Sequence, residues 1–460
     1  MKTARFLILL LISVLLMCAF AYAEPALPEK TDIPVLAFDL DESKGTVEAM
    51  NADPAHQTKC RGTLTVTVPD GYTGAYAADV KGGTYALDFV RGRGNSTWKQ
   101  AKKPYKIKLD KGADLLGMGK GKHWVLMAEY YDPTLLRNVF TCRLARDLGM
   151  EFAPKMTSVH VVMNGRYLGV YSLSTPVRVA GNAVDIADLA DKKATETANM
   201  ITGGYLLGLD PPEDEEHTVV TARGVTLNIE SPDEDGKVRT AYREYITGYL
   251  NGMEDALFGG DFTGADGESY TEYLDIDSAA DYFLIQQVSM NSDGAAGGSN
   301  YLYKKRNGKL YFGPLWDFDY CPWGAKDSGY EGFLITTAWF ERMLKDEAFL
   351  NKVAERWEKL KPLLEEAAAD GGMIDALAEG LRAAQAENYR VNPFVKLTPN
   401  PEAADLAAVM AGAPMYLTDE TATFDGEIAA MKAWIGARTA WVDAHLNGLR
   451  TDGTGLPGVE

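Results

Sequence analysis

The stretch Asn291-Ser-Asp-Gly-Ala-Ala-Gly-Gly-Ser-Asn-Tyr-Leu-Tyr-Lys-Lys-Arg-Asn-Gly-Lys-Leu-Tyr-Phe-Gly-Pro-Leu-Trp-Asp-Phe-Asp319 sets oxygen-bearing side chains on a glycine-rich loop and again at the end of a strand. Tyr301 to Tyr303 and Leu310 to Phe312 flank Asn307-Gly308, a pair that favours a hairpin turn because both residues tolerate positive φ. A hairpin brings its two ends together. Asp293 and Asn300, before the first strand, should therefore meet Asp317 and Asp319, after the second. Carboxylates with an amide at one junction suit Mg²⁺, a hard cation held by one or two carboxylates plus substrate phosphates. The stretch reads as a phosphoryl-transfer site.

A second informative stretch is Arg91-Gly-Arg-Gly-Asn-Ser-Thr-Trp-Lys-Gln-Ala-Lys-Lys-Pro-Tyr-Lys-Ile-Lys-Leu109. Tyr105, Ile107 and Leu109 alternate with Lys106 and Lys108, and a period of two predicts a strand with both lysines on one face. Arg91, Arg93 and Asn95 occupy the Gly-broken turn before it, where guanidinium and backbone N–H groups suit phosphate oxygens.

Together these segments resemble the spore coat protein H (CotH) kinase family of atypical, secreted protein kinases. The resemblance runs through Arg93-Gly-Asn-Ser-Thr-Trp-Lys-Gln, Lys103-Pro-Tyr-Lys-Ile-Lys-Leu, Leu135-Leu-Arg-Asn, Asn164-Gly-Arg-Tyr-Leu-Gly-Val-Tyr, Gly203-Gly-Tyr-Leu-Leu, Asp281-Tyr-Phe-Leu-Ile-Gln and Trp316-Asp-Phe-Asp, in the family's order over about residues 70–360. It implies an α+β, atypical protein-kinase-like fold that transfers the γ-phosphoryl of ATP, with Mg²⁺ or Mn²⁺, to Ser or Thr of an exported or cell-surface protein. It also implies roles: Asp293 as the catalytic-loop carboxylate, Asn300 and Asp317 as metal ligands with Asp319 assisting, and Lys106 at the α and β phosphates. Lys108 is the alternative phosphate lysine, and Arg93 and Asn95 complete the nucleotide-binding set. Many relatives carry glutamates where this chain has Pro176 and Gly208. Glu129 and Asp210 are the nearby carboxylates that stand in reserve.

The wider sequence sets limits around these segments. The chain has 460 residues, 46% hydrophobic and 24% charged, with a formal net charge of −19. That is enough apolar content for a sizeable core, and an acidic surface repels nucleic-acid backbones, so no nucleic-acid partner is expected. Residues 1–23 have the form of a signal peptide, with Lys2 and Arg5, an apolar run to Met17, and Ala21-Tyr22-Ala23 before Glu24. Secretion with no membrane span after cleavage is the expectation. A lipidated Cys18 is disfavoured by the bulk of Met17 before it. Cys60, Cys142 and Cys321 imply no disulfide framework, and the five histidines have no zinc-ligand spacing.

The chain divides into an expected N-terminal β-rich segment over 24–69, a kinase-like domain over 70–360, a helical extension packed on it over 361–450, and a flexible tail at 451–460. Strands are expected in Ile33–Val90 and around Asn164-Gly165. Helices are expected in Pro133–Gly149, Val238–Leu257, Ile276–Met290, Trp339–Leu364 and Ile374–Tyr389. A β-rich lobe then leads into a helix-rich one with the site between them. Two other classes share these features: a catalytically weak surface or envelope binding protein of the same fold, and an exported carbohydrate-active enzyme. The second is disfavoured because the carboxylates cluster with Asn and Lys as a metal set does.

Overall fold

The computed structural model describes residues 26–27, 30–190, 199–209, 214–233, 237–295, 298–325, 329–334, 338–393, 395–396, 415–416 and 423–450. The expected signal peptide, the tail and Asp210 lie outside them. Strands β1 (Val35–Leu40), β2 (Cys60–Thr67), β3 (Gly83–Gly92), β4 (Tyr105–Asp114), β5 (Lys120–Met127), β6 (Met156–Met163) and β7 (Arg166–Ser174) close into a barrel in the order β1-β2-β3-β4-β5-β7-β6. Neighbours are antiparallel except β1 and β6, whose parallel pairing from Val35↔His160 to Phe38↔Met163 closes the wall.

Alternation explains why these segments pair as they do. Leu36, Phe38 and Leu40 face inward from β1, Leu64 and Val66 from β2, Tyr105, Ile107 and Leu109 from β4, and Trp124 and Leu126 from β5, all in one apolar cluster. Each such aliphatic side chain stabilises the fold by about 2 kcal/mol on burial, so an Asp at Ile107, which is fully buried, would break the barrel. Period two puts Lys106 and Lys108 on one face, as expected, and that face is the outside of the barrel. The β6–β7 hairpin turns at Asn164 and Gly165, both at positive φ (46° and 81°), which Asn and Gly tolerate and β-branched residues do not.

A second sheet has the order β12-β11-β8-β10-β9, formed by β8 (Tyr205–Gly208), β9 (Thr218–Val220), β10 (Thr226–Ser231), β11 (Tyr301–Lys304) and β12 (Leu310–Phe312). β11 and β12 are the expected hairpin, with Leu302 opposite Phe312. Lys304 braces its turn, its Nζ donating to the carbonyls of Thr202 (2.7 Å) and Gly308 (2.6 Å).

The longer helices are α1 (Arg137–Leu148), α2 (Thr240–Leu257), α3 (Ile276–Ser289), α4 (Glu347–Ala368), α5 (Met373–Gly380), α6 (Arg382–Val391) and α7 (Phe424–His445); α2 packs against β9 and α3 against β12 of this sheet, while α1, α3, α5 and α7 pack around α4. Helix α1 stops where expected, at Gly149 with φ 95°. α3 is buried on nearly every side, and Tyr282, Phe283, Leu284 and Ile285 all join the larger of the two cores. The helices expected over Trp339–Leu364 and Ile374–Tyr389 are each split. Asp346 accepts from the N–H of Ala348 (3.0 Å) and from the Tyr270 hydroxyl (2.7 Å), which caps α4 and separates it from the short helix Ala338–Met343. Leu381, at φ −108° and ψ 1°, separates α5 from α6. Both breaks depend on backbone conformations that apolar periodicity does not register.

The chain is thus a mixed α+β protein, β-rich in its N-terminal part and helical in its C-terminal part. The expected boundary at 69/70 falls between β2 and β3, which pair in one barrel wall, and that at 360/361 falls inside α4. Helix α6 returns to the barrel. Asn388 accepts from the N–H of Val170 (3.0 Å), and a Cβ on Gly169 would stand 2.5 Å from the Asn388 Oδ1, so only glycine permits this approach.

Candidate active site

The hairpin β11–β12 delivers its two ends to one place. Asp317 follows β12 at φ 68°, an uncommon backbone for Asp, and the Ser299 hydroxyl from the loop before β11 stands 3.5 Å from its Oδ2. The carboxyl groups of Asp317 and Asp319 hydrogen-bond to each other. Both are held above the ordinary carboxylate range. Burial is the main cause for each. For Asp319 the further causes are the negative charges of Asp317, Glu129 and Asp132; for Asp317, Arg93 pulls down and Asp293 pushes up. A proton shared between the two relieves the repulsion.

The residues behind the pair come from the Leu135-Leu-Arg-Asn segment and the turn before it. Asp132, fully buried, accepts from the N–H groups of Thr134 (2.8 Å), Leu136 (2.9 Å) and Arg137 (2.8 Å) and pairs with the Arg137 guanidinium, which fixes the start of α1. Asn138, one residue on, uses both ends of its amide. Its Oδ1 accepts from the Phe318 N–H (2.8 Å), and its Nδ2 donates to Glu129 (3.0 Å to Oε2). The backbone between Asp317 and Asp319 is thereby tied to a buried carboxylate on the barrel side. Burial and the Asp132 charge raise Glu129 to about 7, against the opposing pull of Asn138 and Lys102.

On the barrel side, Lys106 in β4 lies between Arg91 of β3 and Val125 of β5. Burial lowers its pKa to about 8, helped by the positive charges of Arg91, Arg178 and Arg93 and opposed by Glu230 of β10. Arg93 connects the two halves of the site. Its charge is felt by both Lys106 and Asp317, and its guanidinium stands 5.6 Å from the centre of the Trp316 ring. Lys108 is elsewhere engaged, its Nζ 2.7 Å from Asp88 on the outer wall of the barrel. Asn95 is exposed in the turn after β3.

Asp293 is exposed on the short helix Ser292–Ala295, close enough for its charge to raise Asp317. Asn300 is buried, and its Oδ1 accepts from the Tyr282 hydroxyl and from Gln286 Nε2 (3.5 Å), while its Nδ2 donates to the Gly294 carbonyl (2.6 Å). In this arrangement the Asn300 amide holds the loop carrying Asp293 onto α3. Pro176 and Gly208 are both buried, Gly208 mid-sheet between Asn228 and Tyr301.

Sequence reasoning left out Asp132, Asn138, Arg178 and Glu230. Arg137-Asn138 stood in a quoted segment without a role; Glu230 had no signal, because an exposed Glu at the end of a strand looks like any other. Among the described residues no group of three or more His, Cys, Asp or Glu comes close enough to hold a metal ion. The Asp317–Asp319 pair still fits Mg²⁺ or Mn²⁺, because two carboxylates that share a proton in the absence of a cation are a two-ligand set whose remaining positions phosphate and water would fill.

Residues 90–442 match the family model described as CotH kinase protein, and no curated protein matches the chain. That match spans both halves of the site, from Arg91 in the barrel to the helices beyond Asp319, and the chain belongs to the CotH kinase family.

Proposed function

We propose that this protein is an exported protein kinase with an atypical kinase-like fold, which transfers the γ-phosphoryl group of ATP to a Ser or Thr hydroxyl of another exported or cell-surface protein. The observation that carries the reading is the placement of Arg93 over the ring of Trp316, the residue before Asp317, where its charge acts on both Lys106 and Asp317. Cations and carboxylates in that order suit a metal–polyphosphate. Lys106 and Arg93 would meet phosphate oxygens, while Asp317 and Asp319 would hold Mg²⁺ or Mn²⁺, which neutralises the charge on the phosphates. Asp293, exposed beside the pair, is suited to accept the proton of the acceptor hydroxyl as its oxygen bonds to phosphorus and the bond to the ADP oxygen breaks.

Glu230 supplies a carboxylate facing Lys106 and Glu129 one behind the metal pair, which supports activity despite Pro176 and Gly208. The test is incubation of purified protein with labelled ATP and Mg²⁺ or Mn²⁺. Metal-dependent phosphorylation that Asp293→Asn eliminates supports the kinase. No ATP binding with either metal, by calorimetry, rejects it and leaves a binding protein of the same family.

A further inference from the structure

Away from these carboxylates, a cavity of about 260 Å³ lies between the last turn of α1, the approach to β6 and the loop after β7, lined among others by Arg146, Lys155, Thr175, Asn182 and Asp185. Two of its residues bury a donor without a partner: Arg146 Nη1 and Asn182 Nδ2 have no hydrogen-bond acceptor. Lys155 is little better satisfied, its Nζ reaching the Met118 carbonyl at 3.4 Å. Buried donors without acceptors are rare, and each calls for an occupant. For a guanidinium whose other face rests on the Tyr76 ring (4.4 Å), the fitting occupant is an anion. Arg146 pairs with no carboxylate among the described residues, and Asp185 stands exposed at the rim.

We propose that this cavity binds a phosphate-class oxyanion between Arg146, Lys155 and Asn182, either free phosphate or a phosphomonoester on a Ser or Thr side chain. Its position gives such an anion a consequence. Asn182 is at the tip of a loop closed by the bonds Val184 N–H to Arg178 carbonyl and Ala180 N–H to Val184 carbonyl, each 3.1 Å. An anion that anchors Asn182 to α1 also fixes the loop that carries Arg178, one of the three arginines, with Arg91 and Arg93, whose charge reaches Lys106. The proposal does not depend on phosphoryl transfer, because it is tested without ATP.

Titration calorimetry with inorganic phosphate and, separately, with N-acetyl-phosphoserine amide, at constant ionic strength in chloride, is the test. We expect saturable one-site binding that Asn182→Ala weakens at least tenfold, that Arg146→Gln abolishes, and that Lys106→Met leaves unchanged. Tighter binding of the phosphoserine compound identifies a phosphorylated chain as the source; tighter binding of inorganic phosphate identifies the free ion. Should Arg146→Gln fail to fold, Asn182→Ala at the loop tip decides the matter alone. No phosphate binding by the wild type, or binding that Lys106→Met removes and Asn182→Ala does not, overturns the proposal and leaves ordered water as the partner of both donors.

Discussion

Glu129→Gln in metal-free protein isolates one member of the carboxylate group behind the site. The Glu129 carboxyl is buried, and burial with the Asp132 charge raises it from 4.5 to about 7. In the folded protein it keeps its proton up to about pH 7, whereas in the unfolded chain it loses it near 4.5. The folded state therefore binds more protons between those values, and stability must fall as pH rises through that window and level off above it. At about 1.4 kcal/mol per pH unit the difference amounts to about 3 kcal/mol. With an unfolding entropy of about 2.1 cal/mol/K per residue, that corresponds to about 3 °C in Tm for a chain of this length. Gln keeps an acceptor for Asn138 and cannot ionise, so the variant should lose this part of the slope. Asp317 and Asp319, raised in the same direction, leave a residual slope of the same sign. Lys102, lowered by burial to about 7 and lower still once the Glu129 charge is removed, adds a slope of opposite sign near and above that pH, so the slopes are compared at the acid end of the range. Reversible thermal unfolding followed by circular dichroism in chelator, from pH 4.5 to 7, provides the measurement. A variant whose Tm declines with pH as steeply as the wild type would refute the assignment of the proton to Glu129.

Asp317→Ala should abolish metal-dependent phosphoryl transfer and leave the circular dichroism spectrum unchanged, since Asp317 is only half-buried and contributes to the metal site more than to the core; wild-type rates in that variant would remove it from the site. Lys106→Met should raise the KM for ATP at least tenfold while Lys108→Met changes it less than twofold, because Lys108 is committed to Asp88 on the outer wall; equal effects would place both lysines on the nucleotide. Lys106, lowered to about 8, keeps its charge below that pH and loses it above, so nucleotide affinity should fall between pH 7.5 and 9, and a Lys106→Arg variant should be flat over the range.

The parts of the fold that were legible are those fixed by local pattern. The alternation in Tyr105-Lys-Ile-Lys-Leu109 placed both lysines on one face because a pleated strand has no other arrangement. Asn307-Gly308 marked the β11–β12 hairpin, and with it the approach of the loop before β11 to the residues after β12, which the structure makes through Ser299 and Asp317. Closure of the barrel was not legible. It rests on the parallel pairing of β1 with β6, more than a hundred residues apart, which neither strand signals by itself. The same separation explains what was missed in the site. Period two treats Lys106 and Lys108 alike; their difference comes from Asp88 on the neighbouring strand, from Arg178 in the loop after β7 and from Glu230 on β10. Asn300 has the sequence position of a ligand, yet Tyr282 and Gln286, on a helix that ends before the loop, claim its oxygen.

The site forms where the two cores meet, and a third small apolar cluster accounts for its rigidity. Val125 and Met127 from β5, Val139 and Cys142 from α1, Met156 from β6 and Trp316 from the end of the hairpin pack together there. Trp316 is buried in that cluster while Arg93 rests over its ring, with Nη1 3.2 Å from the Met127 sulfur. Asp317 comes next in the chain, between Trp316 of this cluster and Phe318 of the larger core, whose N–H donates to Asn138, so its backbone is fixed on both sides. Residues held from two sides cannot separate to relax mutual repulsion. Two carboxylates kept together under that constraint are a standing source of unfavourable charge. A shared proton relieves it and so does a divalent cation, and only the cation leaves open positions for phosphate. The same packing that raises the carboxyl groups of Asp317 and Asp319 is therefore what prepares them to take a metal.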